Sequence, residues 1–144
     1  MPKKSNKVIE SNKLINLGVV LNKKGEVLMI RRKKPEKGKD GAILEWAFPG
    51  GKQFSNEERE EAVRREVLAE TGYDVTSTKQ IDLSFHPQIS VIIIYHLCTL
   101  NNEKPIANPK EAHEVAEIKW VKPEAIKSLI TTELNPKVAE ELGI

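Results

Sequence analysis

One cysteine, Cys98, stands among 144 residues, so the chain cannot form an internal disulfide and has no thiolate cluster to hold zinc. Long apolar runs are missing as well. The longest, residues 91–95, falls far short of the roughly 18 residues of a membrane span and reads as a strand. The opening Met-Pro-Lys-Lys-Ser-Asn-Lys leads into no apolar segment of a secretory signal, and a cytoplasmic location is expected. Nor is there an excess of one charge. The 23 basic and 21 acidic residues leave a formal charge of +2, too balanced for a general nucleic-acid binder, so neither nucleic acid nor membrane is expected as a partner. Repeats, linkers and low-complexity segments are absent too. What is present, 39% apolar and 31% charged residues, describes a globular protein with room for one core and too little length for two. One domain over residues 1–144 is expected, with residues 1–12 as a flexible basic arm.

Two apolar runs, residues 14–21 and 26–32, flank Asn22-Lys-Lys-Gly25, whose glycine suits a hairpin turn that needs a positive φ. Residues 33–42 are charged, contain Pro35, Gly38 and Gly41 and show no periodicity, which predicts a loop. A strand over 43–48 ends at Pro49. Ser55 and Glu58 have the form of a capping box, and Gly72 lies where a helix would end, so a helix is predicted over 56–71. Strands follow over 75–85, 89–100 and 115–121, with a polar loop at 101–110 and helices at 123–130 and 136–142. The β-branched run in the second of these strands suggests burial on both faces. Strands alternating with helices indicate an α/β class, and the hairpin makes the sheet mixed.

The helix over 56–71 carries the chemistry. With Ala62 at zero on a helical wheel, Glu66 lies at about 40° and Glu70 at about 80°, bordering the apolar arc of Val63 and Val67. Both carboxylates should therefore point along the seam between helix and sheet, while Glu61 faces solvent. Like charges four residues apart repel. A divalent cation between them removes that cost, and an all-oxygen donor set with no Cys/His cluster favours Mg²⁺, with Mn²⁺ as the alternative. Gly50 and Gly51 permit a close backbone approach to phosphate, and Arg31, Arg32 and Lys52 are candidates to counter phosphate charge. Trp46 is a candidate for stacking on a base or packing under a loop, and Cys98, His86, His96 and His113 read as structural.

From Gly51 through Glu57 to Arg65-Glu66-Val67-Leu68-Ala69-Glu70-Thr71-Gly72-Tyr73, the spacing resembles the Nudix box, G-x5-E-x7-R-E-U-x-E-E-x-G-U with U apolar. The resemblance implies an α-β-α sandwich around a mixed sheet. It implies a Mg²⁺-dependent hydrolase of nucleoside diphosphates linked to another group, acting on a small nucleotide, with a homodimer as a frequent state among relatives. It assigns Glu66 and Glu70 to the metal, and Arg65, partnered by Glu57, to orienting the carboxylates. One position departs: Ala69 stands where the box has glutamate. Either a second metal is lost, or another carboxylate replaces it, or the domain binds a nucleotide without cleaving it. For replacement the segment with Glu111, Glu114 and Glu117 before Trp120 is the candidate, with Glu114 the first choice as ligand or base.

Overall fold

The computed structural model describes residues 10–37, 43–85 and 90–144. Seven strands, β1 (Glu10–Leu21), β2 (Val27–Lys37), β3 (Ile43–Ala47), β4 (Gly50–Phe54), β5 (Val75–Phe85), β6 (Ile92–Leu100) and β7 (Val115–Val121), form one sheet, with α1 (Arg59–Thr71) between β4 and β5. Two short helices, α2 (Pro123–Leu129) and α3 (Pro136–Leu142), follow β7. The sheet order β3-β2-β1-β6-β5 is extended by β4 on β1 and β7 on β2. β1 and β6 run parallel, and the other pairings are antiparallel. The mixed sheet is thus as expected.

Helices cover both faces because β1 alternates. Val20 packs with Leu28, Val63, Val67, Val75 and Cys98 beneath α1, while its neighbour Val19 joins Met29, Phe48, Val121, Ile126 and Val138 beneath α2 and α3. Val63 and Val67 are completely buried, and each contributes about 1.5–3 kcal/mol by leaving water. Trp46 packs against the α2/α3 core. None of the described helices is long and apolar enough to cross a membrane.

Several local expectations change. The hairpin turn forms, with Gly25 at φ 75° and the Asn22 side chain accepting the backbone N–H groups of Lys24 and Glu26. Beyond the Leu21–Val27 pair the two strands separate, however, and β4 takes the place beside β1. Residues 50–54 are therefore a strand, where the sequence suggested no regular element. Their Gly-Gly-Lys-Gln-Phe sequence has little β-propensity, so pairing with β1 decides the conformation. Residues 33–37 extend β2, and a register shift between Arg31 and Glu36 hides the strand period. Residues 10–12 belong to β1, which shortens the expected arm; residues 1–9, residues 38–42 and His86 lie outside the described residues. On β6, Ile94, His96 and Cys98 are buried, while the intervening side chains are only half-buried.

Helix α1 starts later than residue 56. Its N-cap is Glu58, whose side chain accepts from the Glu61 backbone N–H, while the Glu61 carboxylate accepts from Glu58 N–H at 2.9 Å. Residues before it are diverted because Glu57 folds back, its carboxylate accepting from Phe54 N–H at 2.9 Å and its own N–H donating to Phe54 O at 3.1 Å. At the other end Gly72 takes the left-handed conformation, φ 81°, and donates to Leu68 O.

Candidate active site

Three carboxylates meet at the seam between α1 and the sheet. Glu66, Glu70 and Glu111 each offer an oxygen, and these atoms lie within 4.8 Å of one another. Glu70 is 8% exposed and accepts the Gly50 backbone N–H at 2.7 Å. Burial, reinforced by the charges of Glu66 and Glu111, pushes its carboxyl up to about 8 despite that hydrogen bond and the nearby Arg32 charge. Glu66 is raised as well, chiefly by burial, with Glu111 and Glu57 adding to it against the Arg65 hydrogen bond. Three carboxylates share this seam, and burial and mutual repulsion both disfavour their charged forms.

The two glycines of β4 make this approach possible. A Cβ on Gly51 would stand 2.7 Å from Glu66 Oε2, closer than such atoms tolerate. A Cβ on Gly50 would collide with the Asn16 carbonyl, and its φ of 150° suits glycine. In the structure the helix carboxylates come close to both glycines, Glu66 at Gly51 and Glu70 at the Gly50 N–H.

Beside the cluster lies a closed ionic lattice. Arg65 donates to Glu57 through Nε at 2.6 Å and Nη2 at 2.9 Å, and through Nη1 to Glu66 Oε1 at 2.8 Å. A further bond reaches the Lys52 carbonyl at 3.0 Å, and the guanidinium lies 4.0 Å from the Phe54 ring centroid. Burial disfavours charge on Glu57, but Arg65 and the Phe54 N–H outweigh it and hold its carboxyl below the usual range. Every donor in this lattice is directed at an acceptor fixed by β4 or α1, so Glu66 is oriented from outside the cluster.

These elements can be compared with known proteins. The NUDIX domain profile matches residues 15–142. The chain belongs to the NUDIX family. It is 36% identical over 87 residues, 59% of this chain and 74% of the other, to the 8-oxo-dGTP diphosphatase of Proteus vulgaris. It is 29% identical over 105 residues to a Bacillus subtilis (strain 168) protein named putative 8-oxo-dGTP diphosphatase, covering 73% of this chain and 63% of that relative's length. Among solved structures, the MutT protein of Methanosarcina mazei Go1 matches with a TM-score of 0.64 at 24% identity, covering 92% of this chain and 94% of that one. At that identity the likeness concerns the NUDIX fold.

The acidic segment reaches the NUDIX box differently from the expectation. Glu114 is not one of the three clustered residues, its carboxylate lying 3.7 Å from His113 and 62% exposed, and Glu117 binds Arg31 Nε at 3.2 Å. Glu111 is the residue brought in. The backbone explains why: Glu111 N–H donates to Ala69 O and Ile106 N–H to Gly72 O, both at 2.9 Å. The last carbonyls of α1 thereby dock the loop that carries Glu111, and the docking point is the residue that lacks the usual carboxylate. Arg31 is held between Glu117 and Glu45, whereas Arg32 acts electrostatically on Glu70. The Lys52 side chain is exposed. Next to Glu70 a cleft of about 120 Å³ is lined by Pro109, Ala112, Val115 and Glu117 among others; a larger groove between α2 and α3, about 580 Å³, contains none of the three carboxylates.

Proposed function

We propose that this NUDIX domain is a divalent-metal-dependent hydrolase that cleaves a phosphoanhydride in a nucleoside diphosphate linked to another group. The observation that carries the proposal is the convergence of Glu66, Glu70 and Glu111 on one half-buried spot. The residues fit a metal ion. They form an all-oxygen set of three carboxylates, with Glu66 seated where a Cβ on Gly51 would displace it, which suits Mg²⁺ and, second, Mn²⁺. Glu66 and Glu70 would hold it, and Glu111 supplies the oxygen that Ala69 lacks. Bound there, the ion would neutralise charge on the pyrophosphate and acidify a water. The protein's own part is positioning: Arg65 and Glu57 orient Glu66, Gly50 N–H orients Glu70, and Arg32 and Lys52 counter phosphate charge.

The names of the two sequence relatives favour an oxidised purine nucleoside triphosphate as substrate. The rival reading, a sensor that binds nucleotide without cleaving it, arises from Ala69, and Glu111 removes its main support. The test is a panel of 8-oxo-dGTP, ordinary nucleoside triphosphates, ADP-ribose, nucleotide sugars and dinucleoside polyphosphates, each with Mg²⁺ or Mn²⁺. Turnover of at least one member is expected; none would leave the sensor.

A further inference from the structure

Amide and imidazole side chains are costly inside a sheet unless each finds a partner. Asn16 on β1 is fully buried and His96 on β6 is 1% exposed. Asn16 Nδ2 donates to Gln53 Oε1 at 3.0 Å. Its Oδ1 is therefore the atom facing His96 Nε2, 2.8 Å away, which makes Nε2 the protonated ring nitrogen and leaves Nδ1 to accept from the Ser77 hydroxyl at 2.8 Å. Gln53 Nε2 in turn donates to the Glu57 carbonyl at 2.9 Å. Every donor points the same way, from β5 across β6, β1 and β4 to the loop that opens the box helix.

Asn16 reaches the site by a second route through its backbone. It lies opposite Gly51 in the β1–β4 register, and its carbonyl occupies the space a Cβ on Gly50 would need. Gly50 N–H holds Glu70; Glu57 holds Arg65, which holds Glu66. Both helix carboxylates are thus referenced to one strand residue. Packing alone does not require it, since apolar side chains of similar size fill such positions at lower cost.

We propose that Asn16, locked by His96, is a positioning residue of the carboxylate site, setting where Glu66 and Glu70 stand while touching neither substrate nor metal. The proposal rests on the hydrolase reading above for its kinetic consequence only. It is tested with His96→Leu, His96→Gln, Gln53→Leu and Gln53→Glu, the last retaining an acceptor for Asn16 but placing an oxygen against the Glu57 carbonyl. With whichever panel member is turned over, His96→Leu and both Gln53 variants should lower kcat about tenfold or more and weaken Mn²⁺ binding, with KM within about twofold of the parent. His96→Gln, whose amide can donate to Asn16, should recover most of the loss. The Arg65 Nε–H signal in ¹⁵N–¹H spectra should move in the same three weakened variants, a readout that needs neither metal nor substrate. Parental kcat, Mn²⁺ affinity and Arg65 signal in His96→Leu and Gln53→Leu would overturn the proposal, as would His96→Gln behaving like His96→Leu. Should His96→Leu not fold, the half-buried Gln53 decides. If the parent turns over nothing, the hydrolase reading fails, while the Arg65 signal still settles whether the relay positions the site.

Discussion

Glu57, just before helix α1, and the carboxylates on and beside its later turns are treated by the fold in opposite ways. Before its first turn Glu57 receives two hydrogen bonds from Arg65 and one from Phe54 N–H, and its carboxyl is held low. Further along, Glu66, Glu70 and Glu111 crowd within 4.8 Å of one another, and Glu70 is pushed up to about 8. The first is tied into the protein by its partners; the second holds three carboxylates where burial disfavours their charge. On the reading proposed above, that crowding is what a bound cation would relieve.

The largest expected effect comes from removing charge from the crowded set. Glu70→Gln retains an oxygen for Gly50 N–H but should lower kcat about a hundredfold or more, while raising the melting temperature of the metal-free protein. Steady-state kinetics and thermal unfolding check the two halves, and a lower melting temperature would remove the distinction between the sets. Arg65→Ala breaks the paired set. It strands Glu57 and Glu66, and with the guanidinium about one third exposed the loss should be about 2 kcal/mol, below the 3–5 kcal/mol of a fully buried pair, read by denaturant unfolding. Glu111→Gln should weaken Mn²⁺ binding about tenfold by calorimetry. Adding Ala69→Glu to that variant should recover part of the affinity; no recovery would mean that the two positions do not serve one site.

A separate effect is in pH dependence. The Glu70 carboxyl rises from its ordinary 4.5 to about 8 in the folded protein, so the folded state binds the proton more tightly. Its contribution is complete below about 4.5 and is lost as pH rises toward about 8. The metal-free protein should therefore melt at a lower temperature at pH 8 than at pH 5, and Mg²⁺ should narrow the difference. Glu57 and Asp74 are shifted the other way. Their contribution is complete above their unfolded values and lost only in stronger acid, outside that window.

Much of the site was legible because its parts are near one another along the chain. The box spacing placed Glu57, Arg65, Glu66 and Glu70, and helical geometry turned the last two toward the sheet. The start of α1 was misread by three residues, since Ser55 with Glu58 has the same capping spacing as Glu58 with Glu61, and the fold begins the helix from the second pair. Strand β4 was invisible because its strand character comes from β1. Glu111 was passed over for Glu114 because choosing among acidic residues three apart depends on where the loop docks. Asn16 did leave a trace: it is a lone amide in the apolar run of β1, a signal of a buried partner that names none.

By itself the sequence determined the family, the mixed α/β class and the helix that carries two carboxylates and their arginine, because each depends on short-range periodicity, capping and spacing. Tertiary structure alone decided the third carboxylate, the strand beneath the box and the relay from His96 to Glu57. Those depend on hydrogen bonds between residues far apart in the chain: Glu111 to Ala69, Asn16 to Gln53 and Asn16 to His96. The vacancy at Ala69 shows the division. The chain reveals that the box lacks one carboxylate there, and only the packed loop brings Glu111 to the two that remain.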